Sequence, residues 1–360
     1  MDFSVDERLA RAATLPAPLY TDPAVLAVEK NRIFGASWQL VGRADQVSRP
    51  GDFFTARVAD EEVLVVRGED ERLRALSNVC RHRAGPVASG AGSCRSLRCG
   101  YHGWTYGLDG QLLAAPELEG VENFRREDVR LPEFPVATWI GLVFANLDAK
   151  APALAAALDD LAGRLEGSGL GSMRFAFRRE WTLDCNWKVY VDNYLEGYHI
   201  PVVHSSLMAE LDYGAYRTET FGSHVLQVSP IKVKGGRLRT GSAGGEAAYW
   251  WIWPNLMLNV YPDNFSTNLI VPLGEERTMT VFEWFFREPD RPGVRARVQE
   301  TVAFSDEIQV EDIAICEAVQ RGLRSKTYVR GRYSARRESG VHRFHRLWAA
   351  AMETPPVPGR

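Results

Sequence analysis

Cysteine is scarce in this sequence: Cys80, Cys94, Cys99, Cys185 and Cys316 are the five in a chain of 360 residues. An odd number, thinly spread, makes a poor disulfide framework and fits a reducing compartment, so a cytoplasmic protein is expected. Long apolar runs are missing as well. The longest, around Tyr249–Tyr261, is broken by Pro254 and Asn255, and no membrane span is expected. The opening residues, Met1 to Glu7, lack the basic start and apolar core of a signal peptide. Charge of one sign is lacking too. The net charge of −3 gives no global pull toward nucleic acid or an anionic membrane. No Gly-x-Gly-x-x-Gly loop sits on a strand–helix turn, so the chain is not expected to hold a dinucleotide itself.

What is present is enough for a sizeable core: 45% hydrophobic and 25% charged residues, over a length that suits two domains. Residues 4–34 read as helical, with Pro23 near a helix start and Gly35 just past the end. From Ser37 to Leu147 the texture changes to short β-rich runs, among them Phe53–Val58, Glu62–Arg67 and Trp139–Asn146, which predicts an all-β unit. A helical stretch, Ala153–Leu165, ends in the glycine-rich Gly167–Gly171, a candidate junction. Strand-like segments then resume at Arg174–Leu183, Tyr216–Val233, Ala247–Val260, Ser266–Val271 and Thr278–Phe286. A helix is expected at Trp187–Gly197 and a long one at Val298–Arg321. The predicted class is α+β, with an N-terminal helical segment (1–36), an all-β domain (37–150), and a larger domain (151–360) in which helices pack an antiparallel sheet.

Histidines cluster where cysteines do. Cys80-Arg81-His82, sixteen residues, then Cys99-Gly100-Tyr101-His102 spell C-x-H-x16-C-x2-H. Each arm brings one thiolate and one imidazole to a loop tip, and two facing tips can hold a [2Fe-2S] cluster with two cysteines on one iron and two histidines on the other. Gly85, Pro86, Gly103 and Gly107 supply tight turns. A structural zinc site uses the same residue types, but zinc fingers space their paired cysteines and paired histidines differently. The segment resembles the Rieske iron–sulfur domain, including Tyr101-His102-Gly103-Trp104. The extra disulfide of respiratory Rieske proteins would fall at Gly85 and Tyr101, so the resemblance is to the oxygenase and ferredoxin branch. Cys94 fits neither ligand spacing and reads as a bystander.

A second metal is suggested by His199 and His204, five residues apart in Asn186–His204. Asp192, Glu196 and His199 would share one helical stripe, and Pro201 would end the helix so that His204 turns back toward His199. Two imidazoles with one carboxylate make a facial triad for Fe(II), with positions left for O2. In the long helix, Asp312 interrupts an apolar stripe of Ile308, Ile315, Cys316 and Val319. Glu311 and Asp306 remain alternatives on residue chemistry alone.

With both features, about Ala36 to His345 resembles the catalytic α subunit of Rieske non-haem iron oxygenases, with a helix-grip catalytic domain. The resemblance implies His199, His204 and Asp312 as ligands of mononuclear Fe(II), and Glu196 as the bridge to a cluster histidine of the next subunit. Many members carry aspartate at that position. It further implies a homotrimer that places His102 of one subunit beside His199 of the next. O2 would be co-substrate, and electrons would come from NAD(P)H through a separate flavin or iron–sulfur reductase, alone or with a ferredoxin.

The substrate is read from Tyr249-Trp250-Trp251-Ile252-Trp253-Pro254. Alternation puts Tyr249, Trp251 and Trp253 on one face of a strand, as a cage for an ammonium or as ordinary core. Asn186-Trp187-Lys188, Trp253-Pro254-Asn255, Val319–Leu323, Gly331-Arg332-Tyr333 and Gly340–His345 resemble the choline monooxygenase and betaine demethylase branch. That implies hydroxylation or oxidative N-demethylation of a quaternary ammonium or N-methyl amine. The alternatives are an aromatic-ring hydroxylase of mono- or dioxygenase type, and, in another class, a Rieske electron carrier without oxygen chemistry. The basic run from Arg321 to Arg346 reads as solvated surface, with reductase or subunit docking as its other use. Nucleic acid is not expected.

Overall fold

The computed structural model describes residues 3–232, 236–238 and 245–354. Met1 and Asp2 of the opening, and Val233 of an expected strand, lie outside the described residues. The chain separates into two compact units, residues 34–157 and residues 3–33 with 158–354. No helix among the described residues is long and apolar enough to cross a membrane.

In residues 34–157, five strands pair antiparallel in the order Ala91–Ser93, Asp52–Val58, Glu61–Arg67, Leu73–Ser77, Glu133–Phe134. The middle strand shows why. Its run Val63-Leu64-Val65-Val66 is mostly β-branched, and alternation sends Val63 and Val65 into one core with Phe54 and Val143. Leu64 and Val66 enter the other core, with Cys80, Cys99, Trp104 and Tyr106. One face of this strand is therefore the floor under both cysteine arms.

The segment Trp139–Asn146 is not a single strand. Val136–Trp139 and Leu142–Ala145 form a hairpin, turned by Ile140 and Gly141 at φ 45° and 82°, the sign pattern of a type I′ turn. A branched side chain is disfavoured in left-handed backbone, which is why the sequence does not announce the turn.

The other unit is built on a seven-stranded antiparallel sheet. Its order is Arg174–Leu183, Arg277–Phe286, Asn264–Gly274, Leu256–Val260, Glu246–Ile252, His224–Pro230, Arg217–Phe221. The chain is thus α+β, as expected. Two expected single strands are hairpins: residues 216–232 turn at Gly222, whose φ is 45°, and Ala247–Val260 turns at Trp253–Asn255, where Pro254 has no N–H for a ladder. The long helix runs Pro292–Leu323, beyond both expected ends, with proline in its first turn. Ala153–Leu165 is two short helices, Leu154–Leu158 and Leu161–Arg164, separated at Asp159, whose φ is 49°. The unit boundary falls at 157/158, ahead of Gly167–Gly171.

Helix over residues 4–34 is confined to Pro18–Thr21, Pro23–Glu29 and a π-helical turn at Lys30–Phe34. Upstream, the backbone pairs elsewhere. Ala13 bridges Arg332, and the N–H groups of Thr14 and Ala17 donate to Gly331 and Val329. Pro16 disfavours helix in the residue before it, while Pro18 begins the first helix. Glu29 then anchors the segment. Its carboxylate accepts from Lys188 Nζ (2.6 Å), Trp348 Nε1 (2.6 Å) and Trp187 Nε1 (2.8 Å), with both ions fully buried. Neither charge is left unpaired in the core.

Candidate active site

Cys80–Gly85 and Cys99–Trp104 fold as matched loops. In each, the cysteine N–H donates to the carbonyl five residues on, Gly85 at 2.8 Å and Trp104 at 2.9 Å. The N–H four residues on donates back, from Ala84 at 3.0 Å and Gly103 at 3.1 Å. Both sulfurs are buried, whereas His82 and His102 are exposed at the tips with ring centroids 4.6 Å apart. His82 also stacks on Trp104. Two buried thiols behind two exposed imidazoles are the donor set that a [2Fe-2S] cluster of this type requires. The cradle is close: a Cβ on Gly85 would sit 3.1 Å from Cys99 Sγ. Tyr106 adds a polar contact, its hydroxyl 3.2 Å from Cys80 Sγ and accepting the Arg81 N–H at 3.0 Å. Burial, then Cys80 itself, raises the Tyr106 pKa, so the hydroxyl keeps its proton for the sulfur. Cys94 lies on neither loop, and its N–H donates to Gly51.

The iron-type site forms where a helix stops. Trp187–Tyr194 is capped by Asn186, whose side chain accepts the Lys188 N–H, and ends three residues short of the expected Gly197. Glu196 and His199 therefore lie in the turn beyond it. Asp192 points away from them, held by Tyr20 Oη (2.7 Å) and His345 Nε2 (2.8 Å). Pro201 begins a helix rather than ending one: Ile200–Val203 is a single turn with His199 before it and His204 after it. That turn brings the two Nε2 atoms to 3.1 Å.

Asp312 completes the set, with Oδ1 3.0 Å from His204 Nε2 and 3.7 Å from His199 Nε2. The carboxylate alternatives resolve by position. Glu311 sits behind His204, Oε2 at 2.7 Å from Nδ1, and Asp306 pairs with Arg179 at 3.1 Å. Glu196 holds His199 from behind, Oε1 at 2.6 Å from Nδ1, while Oε2 accepts the N–H groups of Tyr198 and His199. With both Nδ1 atoms facing carboxylates, each carries the proton and each Nε2 presents a lone pair. Two lone pairs and an anionic oxygen then face one another, an arrangement that a cation between them relieves. For bonds near 2.1 Å at right angles, ligand atoms lie about 3.0 Å apart; two of the three separations match that and the 3.7 Å one is wider, so one cation can still meet all three atoms. Burial opposes charging of His204, but Asp312 and Glu311 outweigh it and raise its pKa, a sign of the negative potential there.

These three ligand-type residues line one end of a cavity of about 930 Å³, counted to its open mouth. Its floor is a cross-strand row, Gln227 opposite Tyr249, then Asn259, Ser266 and Trp284. Tyr194, Tyr216 and Tyr261 also line it, Tyr261 edge-on to Tyr249 at 6.1 Å. Burial raises the pKa of all four tyrosines, that of Tyr261 to about 12, so the rings are neutral near pH 7. Gln227 donates its amide N–H to the Tyr194 carbonyl at 2.6 Å, and its Oε1 is buried with no hydrogen-bond partner among the described residues.

The predicted cage of Tyr249, Trp251 and Trp253 does not form. Tyr249 lines the cavity, but Trp251 is fully buried against Trp253 (6.0 Å) and Phe344 (5.4 Å). Both tryptophans share the sheet face, yet the helix Ser339–Glu353 covers their end of it. The stripe expected around Asp312 is also only half inward, since Ile315 and Val319 are exposed. Tyr194, Tyr216 and Tyr261 were not among the predicted site residues, and Glu311, weighed as an alternative to Asp312, instead stands behind His204.

Comparison with known proteins agrees with this geometry. Residues 172–354 match the ring hydroxylating alpha subunit (catalytic domain) family, and residues 37–125 the Rieske [2Fe-2S] domain. The chain is 39% identical over 358 residues to the chloroplastic choline monooxygenase of Arabidopsis thaliana, covering 96% of this chain and 84% of that one. It is 31% identical to the carnitine monooxygenase oxygenase subunit of Escherichia coli (strain K12), covering 97% of each. Among solved structures, a quaternary ammonium Rieske monooxygenase of carnitine oxidation by gut microbiota superposes with a TM-score of 0.88 at 29% identity, over 97% of this chain and all of that one. Naphthalene 1,2-dioxygenase from Rhodococcus sp. shares the fold at 20% identity, with a TM-score of 0.79 over 95% of each chain.

Proposed function

The chain belongs to the Rieske ring-hydroxylating oxygenase family, and from that premise we propose that it hydroxylates a C–H bond beside the nitrogen of a quaternary ammonium substrate. It is an oxidoreductase of the kind that uses a [2Fe-2S] cluster, mononuclear iron, O2 and electrons from a reductase. Cys80, Cys99, His82 and His102 would hold the cluster, and His199, His204 and Asp312 the iron. When bound, the cluster supplies electrons and the iron activates oxygen. The protein's own residues do the rest.

Glu196 and Glu311 fix the imidazole tautomers. Tyr194, Tyr216, Tyr249 and Tyr261 offer neutral ring faces and hydroxyl oxygens to a permanent cation, which cannot lose a proton to escape burial. Gln227, with a buried Oε1, lines the same cavity. The observation that carries this reading is the convergence of His199, His204 and Asp312 at one end of a tyrosine-lined cavity. The buried Gln227 and Asn264 side-chain oxygens attract a positive charge, which an aromatic hydrocarbon does not carry, and this disfavours the ring-hydroxylase alternative. The electron-carrier alternative gives the iron-type site no role.

Glu196 is also the bridge in this account, passing electrons from the cluster of a neighbouring subunit within a homotrimer. Exposed Tyr101 beside His102, and exposed Tyr198 and Val202 beside His199, suit such a contact. Free cysteines suit the cytoplasm. Anaerobic loading tests the iron assignment: one mononuclear iron per chain beyond the cluster is expected, and none in Asp312→Ala. Full iron content in that variant would overturn the ligand set.

A further inference from the structure

Two stretches of the sequence, Gly331-Arg332-Tyr333 and Gly340–His345, line no part of the cavity and supply no metal-type ligand. Both converge on the helix Trp187–Tyr194, whose end leads into Glu196 and His199. The helix Ser339–Glu353 runs along it in the opposite sense. The ring of Trp348 lies 5.6 Å from Lys188 Nζ, and Phe344 meets Trp187 edge-on at 5.6 Å. His345 meets Asp192, and Gly340 meets Leu195. Going down one helix from 348 to 340 therefore goes up the other from 188 to 195, and the two make contact at every turn.

At Gly340 the two backbones touch. A Cβ there would overlap the carbonyl oxygen of Leu195, the residue before Glu196, and would lie 3.2 Å from Val225 Cγ1. Helix propensity alone would favour alanine at this position, so the space is what calls for glycine. Five residues on, His345 is fully buried. The Asp192 carboxylate, which can only accept, takes the Nε2 proton at 2.8 Å and the Tyr20 hydroxyl at 2.7 Å. Nδ1 then accepts the Tyr333 hydroxyl at 2.5 Å. Burial, followed by Asp192, raises the pKa of both tyrosines, so each keeps the proton it donates.

We infer that Gly340 and His345, with Tyr20 and Tyr333 behind them, are positioning residues for the iron-type site. They fix where the chain leaves the helix Trp187–Tyr194, and so where Glu196 and His199 stand. Only the turn 195–199 separates that helix from the single turn Ile200–Val203, so a shift of Leu195 or Asp192 passes directly to the imidazole. The inference rests on His199 as an iron ligand and adds the residues that hold it in place from outside the cavity.

The test measures Fe(II) affinity by anaerobic chelator competition, together with the melting temperature of the cluster-loaded, iron-free protein. Gly340→Ala should weaken Fe(II) binding roughly ten- to a hundredfold, the scale of an overpacking strain relieved by moving the Glu196 turn. The melting temperature should stay within about 2 °C, because without iron the turn is free to yield. Gly322→Ala, in open space on the long helix, should leave the iron affinity unchanged. His345→Leu should weaken Fe(II) binding roughly tenfold, and His345→Gln, which keeps a donor for Asp192, should recover most of it. Unchanged iron affinity in Gly340→Ala overturns the inference; a lowered melting temperature beside it would make the contact plain packing. If affinity and melting temperature both fall, the His345 variants decide. Equal affinity in the parent, His345→Leu and His345→Gln overturns the inference whether or not the glycine variant folds. If the parent binds no iron beyond the cluster, the ligand assignment falls first and the inference with it. If parent and variants all bind iron alike, the inference falls alone.

Discussion

Glu311 touches neither cavity nor metal position, yet it should set how tightly iron is held. Its carboxylate lies 2.7 Å from His204 Nδ1, the geometry that fixes an imidazole's tautomer and raises the basicity of its other nitrogen. A hydrogen bond to a charged group contributes about 1.5–3 kcal/mol. Glu311 is about a third exposed, 32% of its side chain, and solvent screening puts the contribution at the low end. Glu311→Gln should then weaken Fe(II) binding by roughly tenfold, and Glu311→Ala by up to about a hundredfold. Competition against a chromophoric chelator under anaerobic conditions measures this directly, with the cluster spectrum as internal control. Asp306→Asn, whose carboxylate pairs with Arg179, should leave the affinity unchanged. Iron affinity within twofold of the parent in Glu311→Ala would refute the reasoning.

Changing Cys80 or Cys99 to Ser should abolish the Rieske absorption and Cys94→Ser should not; loss of the spectrum in the Cys94 variant would place the ligands wrongly. Tyr106→Phe removes the donor to Cys80 Sγ, which favours the more negative reduced cluster. Its potential should fall by roughly 40 mV, the one-electron equivalent of a hydrogen bond of about 1 kcal/mol, as read by redox titration. An unchanged potential would mean that the hydroxyl faces the Arg81 backbone alone. Glu196→Gln should keep both metals but slow electron arrival at the iron in rapid-mixing experiments, since the charge-assisted contacts to two histidines are weakened; an unchanged rate would take Glu196 off the path.

The two clusters of ligand-type residues could be picked out because their members are close in sequence. Cys80 with His82, and Cys99 with His102, each occupy one loop whose shape is set by hydrogen bonds within five residues. His199 and His204 flank one helical turn in the same way. Asp312 needed the fold, since Glu311 beside it has the same chemistry and only helix phase decides which one faces the imidazoles. The substrate end was misread because strand alternation assigns a face but not what covers it: Phe344, nearly a hundred residues away, seals Trp251 into the core. Tyr194, Tyr216 and Tyr261 meet Tyr249 through helix packing and cross-strand register, contacts that no local pattern encodes. The same holds for residues 13–17, whose backbone pairs with residues 329–332 in place of a helix.

Single turnover under labelled oxygen tests the central claim most directly. Enzyme with both metals reduced is mixed with 18O2 and a trimethylammonium substrate, or with the matching tert-butyl compound that lacks the charge. The account predicts one labelled oxygen in the hydroxylated product or in released formaldehyde, formed from the ammonium compound and scarcely from its neutral twin. Label found in an aromatic hydrocarbon product, with no turnover of any ammonium, would contradict it.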